Sequence, residues 1–161
     1  MRRAEASYAA LYSSKFVSLG IQLPFFSAWL HAKGLSASEI GLATGLALGA
    51  RLALGPFVAL WADRRRDRRT GLRAVAAVFA AASLLLVIAP GKFAITAAAI
   101  LMLWAFGVLV PLADAAVLRE DRAGQLSFGR TRAIGSGAFL ITTILGGEAS
   151  IPSRVNASPP R

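Results

Sequence analysis

The sequence predicts an all-α membrane protein, and three observations carry that prediction. First, 56% of the 161 residues are hydrophobic and only 16% are charged, where a soluble domain carries about a quarter charged residues. Second, the apolar residues gather into long runs, with a mean hydropathy of +0.60 over the chain. Third, the charges gather between the runs. That leaves too little polar surface to cover a water-soluble globule, and makes the bilayer the solvent.

Five runs are long enough to consider as helical spans. The first covers residues 12–30, about 28 Å of helix rise, enough to cross the hydrocarbon core. It contains Pro24, expected to kink it, and Gln22, a polar group at depth. Met1-Arg2-Arg3 resembles the start of a signal peptide, but the run is too long for a signal core and lacks a cleavage site, so it is expected to stay as a span. A short polar loop follows, in which Ser36 or Ser38 can cap the next helix.

The second span, residues 39–61, carries Gly41, Gly45 and Gly49 at every fourth position. All three share one helix face, a spacing that lets another helix approach closely. Residues 62–73 form the most charged segment, with six arginines. The third span, 72–89, has Ser83 as its one polar side chain beyond Arg73 at its start and is suited to facing lipid. Pro90-Gly91-Lys92 reads as a tight turn. The fourth span, 93–118, includes Pro111 and Asp114, and a second polar loop covers 119–132. The fifth, 133–147, is short and Gly-rich at its start. The tail, 148–161, is polar and is expected to be disordered.

The net charge is +10. A basic balance can signal nucleic-acid binding, but here the arginines border apolar runs and do not interleave with aromatics. They read as topology signals, and no nucleic-acid partner is expected. Arg2, Arg3, Arg119, Arg122, Arg130, Arg132 and the six arginines of 62–73 fall on one side. Lys33, Lys92, Arg154 and Arg161 fall on the other. The rich side is the cytoplasmic one, which places the N-terminus inside. Trp29 and Trp61, at helix ends, suit the membrane interface.

The chain has no Cys, which rules out disulfides, zinc fingers and thiol nucleophiles, and its one His, His31, cannot build a histidine metal cluster. There is no Ser/His/Asp set and no phosphate loop. No enzyme, cofactor or metal is expected. Three charges lie within or near the spans. Lys15 is close to the cytoplasmic end of the first and is expected to reach the interface. Arg51 lies near the middle of the second and needs an acidic partner, water or an anionic ligand. Asp114 sits about a turn from the cytoplasmic end of the fourth and can supply that partner. A fixed ion pair and a polar cavity lining both remain open.

The segment Ala59-Leu60-Trp61-Ala62-Asp63-Arg64, followed by Asp67-Arg68-Arg69, resembles the signature between helices two and three of the major facilitator superfamily. Ala59 and Asp67 stand where that signature has Gly. Ala50-Arg51-Leu52 with Gly55-Pro56, Pro111-Leu112-Ala113-Asp114-Ala115, and Phe128-Gly129-Arg130-Thr131-Arg132 with Gly135-Ser136 resemble the 3-phenylpropionate transporter-like branch. The resemblance implies a secondary transporter, usually proton-driven, of twelve helices in two six-helix halves. This chain would be a partial, five-helix N-terminal bundle of that fold in the bacterial inner membrane.

The resemblance further implies that Gln22, Arg51 and Asp114 lie on the pathway of a small organic anion and a proton. It places Asp63, Arg64 and Arg68 in a cytoplasmic gate. The implied partners are lipid, solute, proton and a complementary transporter half. A non-transporting membrane remnant or assembly partner remains the alternative.

Overall fold

The computed structural model describes residues 2–64, 68–124 and 127–155. They form five helices: α1 (Arg2–Ala32), α2 (Ala37–Arg64), α3 (Arg68–Ile88), α4 (Gly91–Arg122) and α5 (Phe128–Val155). The helices overrun the apolar runs. Much of the arginine-rich segment is helix end rather than loop, because arginine is a good helix former and the helix continues beyond the hydrocarbon. Likewise α5 extends past Gly147 through Val155, while residues 156–161 of the expected disordered tail lie outside the described residues. Pro24, Pro56 and Pro111 all lie inside helices.

Three helices hold a stretch long and apolar enough to cross a membrane: Ala37–Ala62, Thr70–Ile88 and Gly91–Arg119. In α1 the apolar character is diluted by Ser13, Ser14, Lys15, Ser18, Gln22 and Ser27, and in α5 by residues such as Arg132, Thr142 and Thr143.

The chain divides into two compact units, one of Met1–Trp29 with Val117–Arg161 and one of Leu30–Ala116. In the second, α1 ends in a Schellman turn. The Gly34 N–H donates to the His31 carbonyl at 2.8 Å, and the Leu35 N–H donates to the Leu30 carbonyl at 3.2 Å. Gly34 has φ +89°, which a side chain would resist. Leu30 and Leu35 close the turn with an apolar contact position, both buried. A capping box then starts α2. The Glu39 N–H donates to Ser36 Oγ at 3.3 Å, and the Ser36 N–H donates to Glu39 Oε2 at 2.6 Å. Of the two candidate caps, Ser36 is the one used.

Within this unit α4 is the most enclosed helix. Half of its apolar window is buried, against 11% for α2. Many of the buried positions are alanines: Ala43 and Ala47 on α2, Ala82 on α3, and Ala98, Ala99, Ala105 and Ala113 on α4. Around them lies a core of Val75, Val108 and Leu109, joined by Val58, Leu72, Trp104 and Leu112. Large side chains such as Leu52, Phe57, Leu84 and Val87 are exposed, as lipid-facing positions should be.

In the other unit, α1 and α5 fit together by alternating large and small residues. A methyl group added at Gly135 would collide with the Phe16 ring, and one added at Gly146 would lie 2.5 Å from Phe25 Cε2. Between these contacts the roles reverse. A methyl at Gly20 of α1 would lie 3.1 Å from the Phe139 carbonyl oxygen and 3.2 Å from Thr142 Cβ. Residue numbers rise together along both helices, so α1 and α5 run parallel.

Because the chain has no native cysteine, cysteine pairs can test this directly. Phe16→Cys with Gly135→Cys, and Phe25→Cys with Gly146→Cys, should each crosslink on mild oxidation, while Phe16→Cys with Gly146→Cys should not. Gel mobility after proteolysis between α1 and α5 reads the result.

Candidate functional site

The expected site residues divide between the units, and each group is described within its own. Arg51 and Asp114 both belong to the Leu30–Ala116 unit. Arg51 is exposed on α2, in the middle of an otherwise apolar helix. Its stem crosses α4 at Gly107, which is buried. A methyl group there would lie 2.6 Å from Arg51 Cδ, 3.3 Å from Nε and 3.5 Å from Cγ. Only a residue without a side chain leaves that passage open. Asp114 is half-buried on α4, seven residues beyond Gly107. Seven residues are two turns, so the two positions share a helix face, about 10 Å apart along the axis.

The gate-like motif is shaped by a close contact between α2 and α3. A methyl at Gly71 would lie 2.6 Å from Ala62 Cβ and 3.0 Å from Ala62 Cα. The α2 backbone therefore passes directly against α3 one residue before Asp63. Asp63 and Arg64 close α2, and Arg68 opens α3. Arg64 is exposed; the Asp63 and Arg68 side chains and residues 65–67 lie outside the described residues. The sequence reading did not single out Gly71, although a glycine in the first turn of an Arg-rich helix is a recognisable sign of close approach.

The glycine face of α2 behaves differently. A methyl at Gly41, Gly45 or Gly49 would meet nothing within 4 Å. The close-packed side of α2 runs instead through Ala43 and Ala47, which are buried.

In the Met1–Trp29 and Val117–Arg161 unit, Gln22 is half-buried on α1. The residue that sequence reasoning misplaced is Lys15. It does not extend out to the interface: it is 9% exposed, and its Nζ sits 4.0 Å from the centroid of the Tyr12 ring and 5.0 Å from that of Phe16. Tyr12 is itself buried with Val117, and Phe16 and Phe128 pack against them. The signal was a lysine three residues after a tyrosine and one before a phenylalanine, which offers an ammonium group aromatic faces in place of water.

The ends of this unit are fixed locally. The Phe128 N–H, at the start of α5, donates to Asp121 Oδ1 at 3.0 Å. The Thr131 hydroxyl donates to the Ser127 carbonyl at 3.0 Å. Arg132 places its guanidinium carbon 5.9 Å from the Phe128 ring centroid.

The two glycine environments give opposite expectations for the same substitution. Gly45→Ala should leave the melting temperature of the purified chain unchanged or raise it, since alanine gains up to about 1 kcal/mol of helix propensity. Gly71→Ala should lower it, because a backbone contact must open. Thermal denaturation in detergent measures both.

Comparison with known proteins now places the chain. The model of the MFS_1 like family matches residues 6–154. A protein of Escherichia coli (strain K12), described as a probable 3-phenylpropionic acid transporter, is 38% identical over 143 residues. That alignment covers 85% of this chain and 36% of the relative, so the chain spans about a third of the relative's length. No solved structure matches. The all-helical fold, the three apolar helices and the family match make this a multi-pass membrane protein, and the chain belongs to the MFS_1 like family.

Proposed function

We propose that this chain forms the amino-terminal part of a proton-coupled secondary transporter for a small organic anion, set in the inner membrane with its N-terminus in the cytoplasm. The observation that carries the reading is an arginine in the middle of an apolar helix, laid across a glycine of α4. A charge at that depth costs about 2.5 to 3.5 kcal/mol on insertion scales, so its retention calls for an anionic counterpart. The relative's described substrate, 3-phenylpropionic acid, is such an anion.

In this reading Arg51 attracts the solute carboxylate and pairs with Asp114 when the site is empty. Gln22 lends a hydrogen bond from α1. Asp63, Arg64 and Arg68 hold the cytoplasmic gate, where charge pairs stabilise one conformation. α1 and α5 cross the bilayer as cavity-bordering helices, which accounts for their polar content. Gly41, Gly45 and Gly49 form a packing face for a complementary transporter half. A second reading, an assembly partner without transport of its own, is favoured by the openness of α2, whose apolar window is 11% buried.

Alternating access needs two halves rocking about one site. These 161 residues alone, in proteoliposomes with a proton gradient, should therefore take up no 3-phenylpropionate above empty vesicles. A chimera in which residues 6–146 replace the matching part of the relative should restore uptake, and Arg51→Gln should abolish it. Gradient-dependent uptake by the chain alone would show that copies of it assemble a complete pathway. A correctly inserted but inactive chimera would favour the assembly-partner reading.

The pairing has its own test. Asp114→Asn should reduce folded protein by leaving Arg51 without its counter-charge. Breaking a fully buried pair costs about 3 to 5 kcal/mol, and the exposure of Arg51 lowers that here. Adding Arg51→Gln should restore the yield, and no restoration would mean separate roles for the two residues.

A further inference from the structure

Pro111 of α4 is a residue that the proposed pathway does not use. It lies inside the helix and is exposed, so its ring fills no packed space. Its effect on the backbone is definite. Proline has no N–H, so the carbonyl four residues earlier loses its helical donor. That carbonyl belongs to Gly107.

Gly107 is buried, within the apolar stretch of α4. The hydrocarbon holds no water, so a carbonyl deprived of its donor there is unfavourable. Membrane helices tolerate proline where a neighbouring side chain or an ordered water satisfies the freed group. The neighbour at Gly107 is Arg51. Its Cδ and Nε lie 2.6 Å and 3.3 Å from the point that a Gly107 methyl would occupy, and the terminal nitrogens follow beyond Nε. A guanidinium is all donor and a carbonyl all acceptor. Gly107, Pro111 and Asp114 follow at i, i+4 and i+7 on one face of α4. A helical carbonyl points along the axis toward the residue four positions on. The freed oxygen therefore faces the stretch of α4 between the arginine stem and Asp114.

We propose that Pro111 is a positioning residue for Arg51: its missing N–H leaves the Gly107 carbonyl as the acceptor that holds the guanidinium over α4, directly or through one water. The glycine and the proline act together. Gly107 lets the arginine stem reach the α4 backbone, and Pro111 keeps a backbone acceptor open for it. A guanidinium has five N–H donors, so one can stay on the carbonyl while others take an anion. The consequence for transport rests on the reading of Arg51 as the residue that attracts the solute. The hydrogen bond itself does not depend on that reading.

All of these residues belong to the Leu30–Ala116 unit, so the bond can be tested on the chain itself. Cell-free synthesis into lipid nanodiscs places a glycine with an isotope-labelled carbonyl at position 107 alone. The infrared amide I frequency of that carbonyl reports its hydrogen bonding. Arg51→Met should move the band to higher frequency. The same shift is expected in Arg51→Met with Asp114→Asn, which removes both charges together and covers the case in which the single variant fails to fold. In Pro111→Ala the alanine N–H takes the carbonyl, and adding Arg51→Met to it should leave the band where it is.

The functional arm uses the chimera. Pro111→Ala should raise KM about tenfold, the scale of a lost hydrogen bond to a charged group, and leave kcat within a few-fold. It should also raise the melting temperature, because alanine favours the helix interior where proline does not. The ester analogue of that variant, with lactic acid in place of the alanine, again lacks the N–H and should return KM to the wild-type value. The two differ only in that donor, so a role in bending or packing would move both alike.

A Gly107 band that ignores Arg51→Met in the otherwise native chain overturns the proposal and leaves the transport reading standing. Equal KM values for the alanine variant and its ester overturn it as well. A chimera without uptake counts against the transport reading, and the band shift on the chain then decides the hydrogen bond by itself.

Discussion

Within a bilayer a helix satisfies its own backbone N–H and C=O groups, and little water is released when two such helices meet. What holds them side by side is therefore the closeness of fit between surfaces. This chain achieves that fit in two ways. In the Leu30–Ala116 unit, Val75 of α3 clusters with Val108 and Leu109 of α4, with Val58 of α2 packed against them, and Gly71 brings α3 directly onto the backbone at Ala62. In the other unit, phenylalanine rings of α1 enter glycine positions of α5. The first mode gives flat contacts between small residues. The second fixes register, because a ring seated over a glycine cannot slide by one turn without meeting a side chain.

The polar groups at depth follow from that packing. Arg51 crosses α4 because Gly107 offers no side chain to block it. Lys15 stays inside because Tyr12 and Phe16 offer ring faces where water is scarce. In both cases the neighbours decide whether a long cationic side chain reaches the headgroups or is retained. The Arg51 guanidinium keeps its charge at any physiological pH, and that links helix packing to the proposed organic-anion chemistry.

Much of this was legible in the residues. The apolar runs located the five helices, and Ser36 or Ser38 was expected to cap α2, a role that Ser36 fills. The Ala-Asp-Arg segment and the Pro111–Asp114 neighbourhood pointed to the family. The helix ends were less legible, because arginine both marks the interface and continues a helix, so α2 and α3 run on into the charged segment. Periodicity singled out Gly41, Gly45 and Gly49, yet it does not say which small residues meet a neighbour. Ala43 and Ala47 are the buried ones in this structure. For Lys15, distance from the helix end suggested a route to the interface, whereas the structure keeps it buried beside Tyr12 and Phe16.

The account depends most on the direction in which the helices cross, since the proposed gate assignment and the proposed cytoplasmic N-terminus stand or fall together. Impermeant thiol labelling of single-cysteine variants in intact spheroplasts measures it. Lys33→Cys and Lys92→Cys should label from outside, while Arg66→Cys and Arg122→Cys should label only after permeabilisation. Labelling of Arg66→Cys in intact spheroplasts would contradict the account.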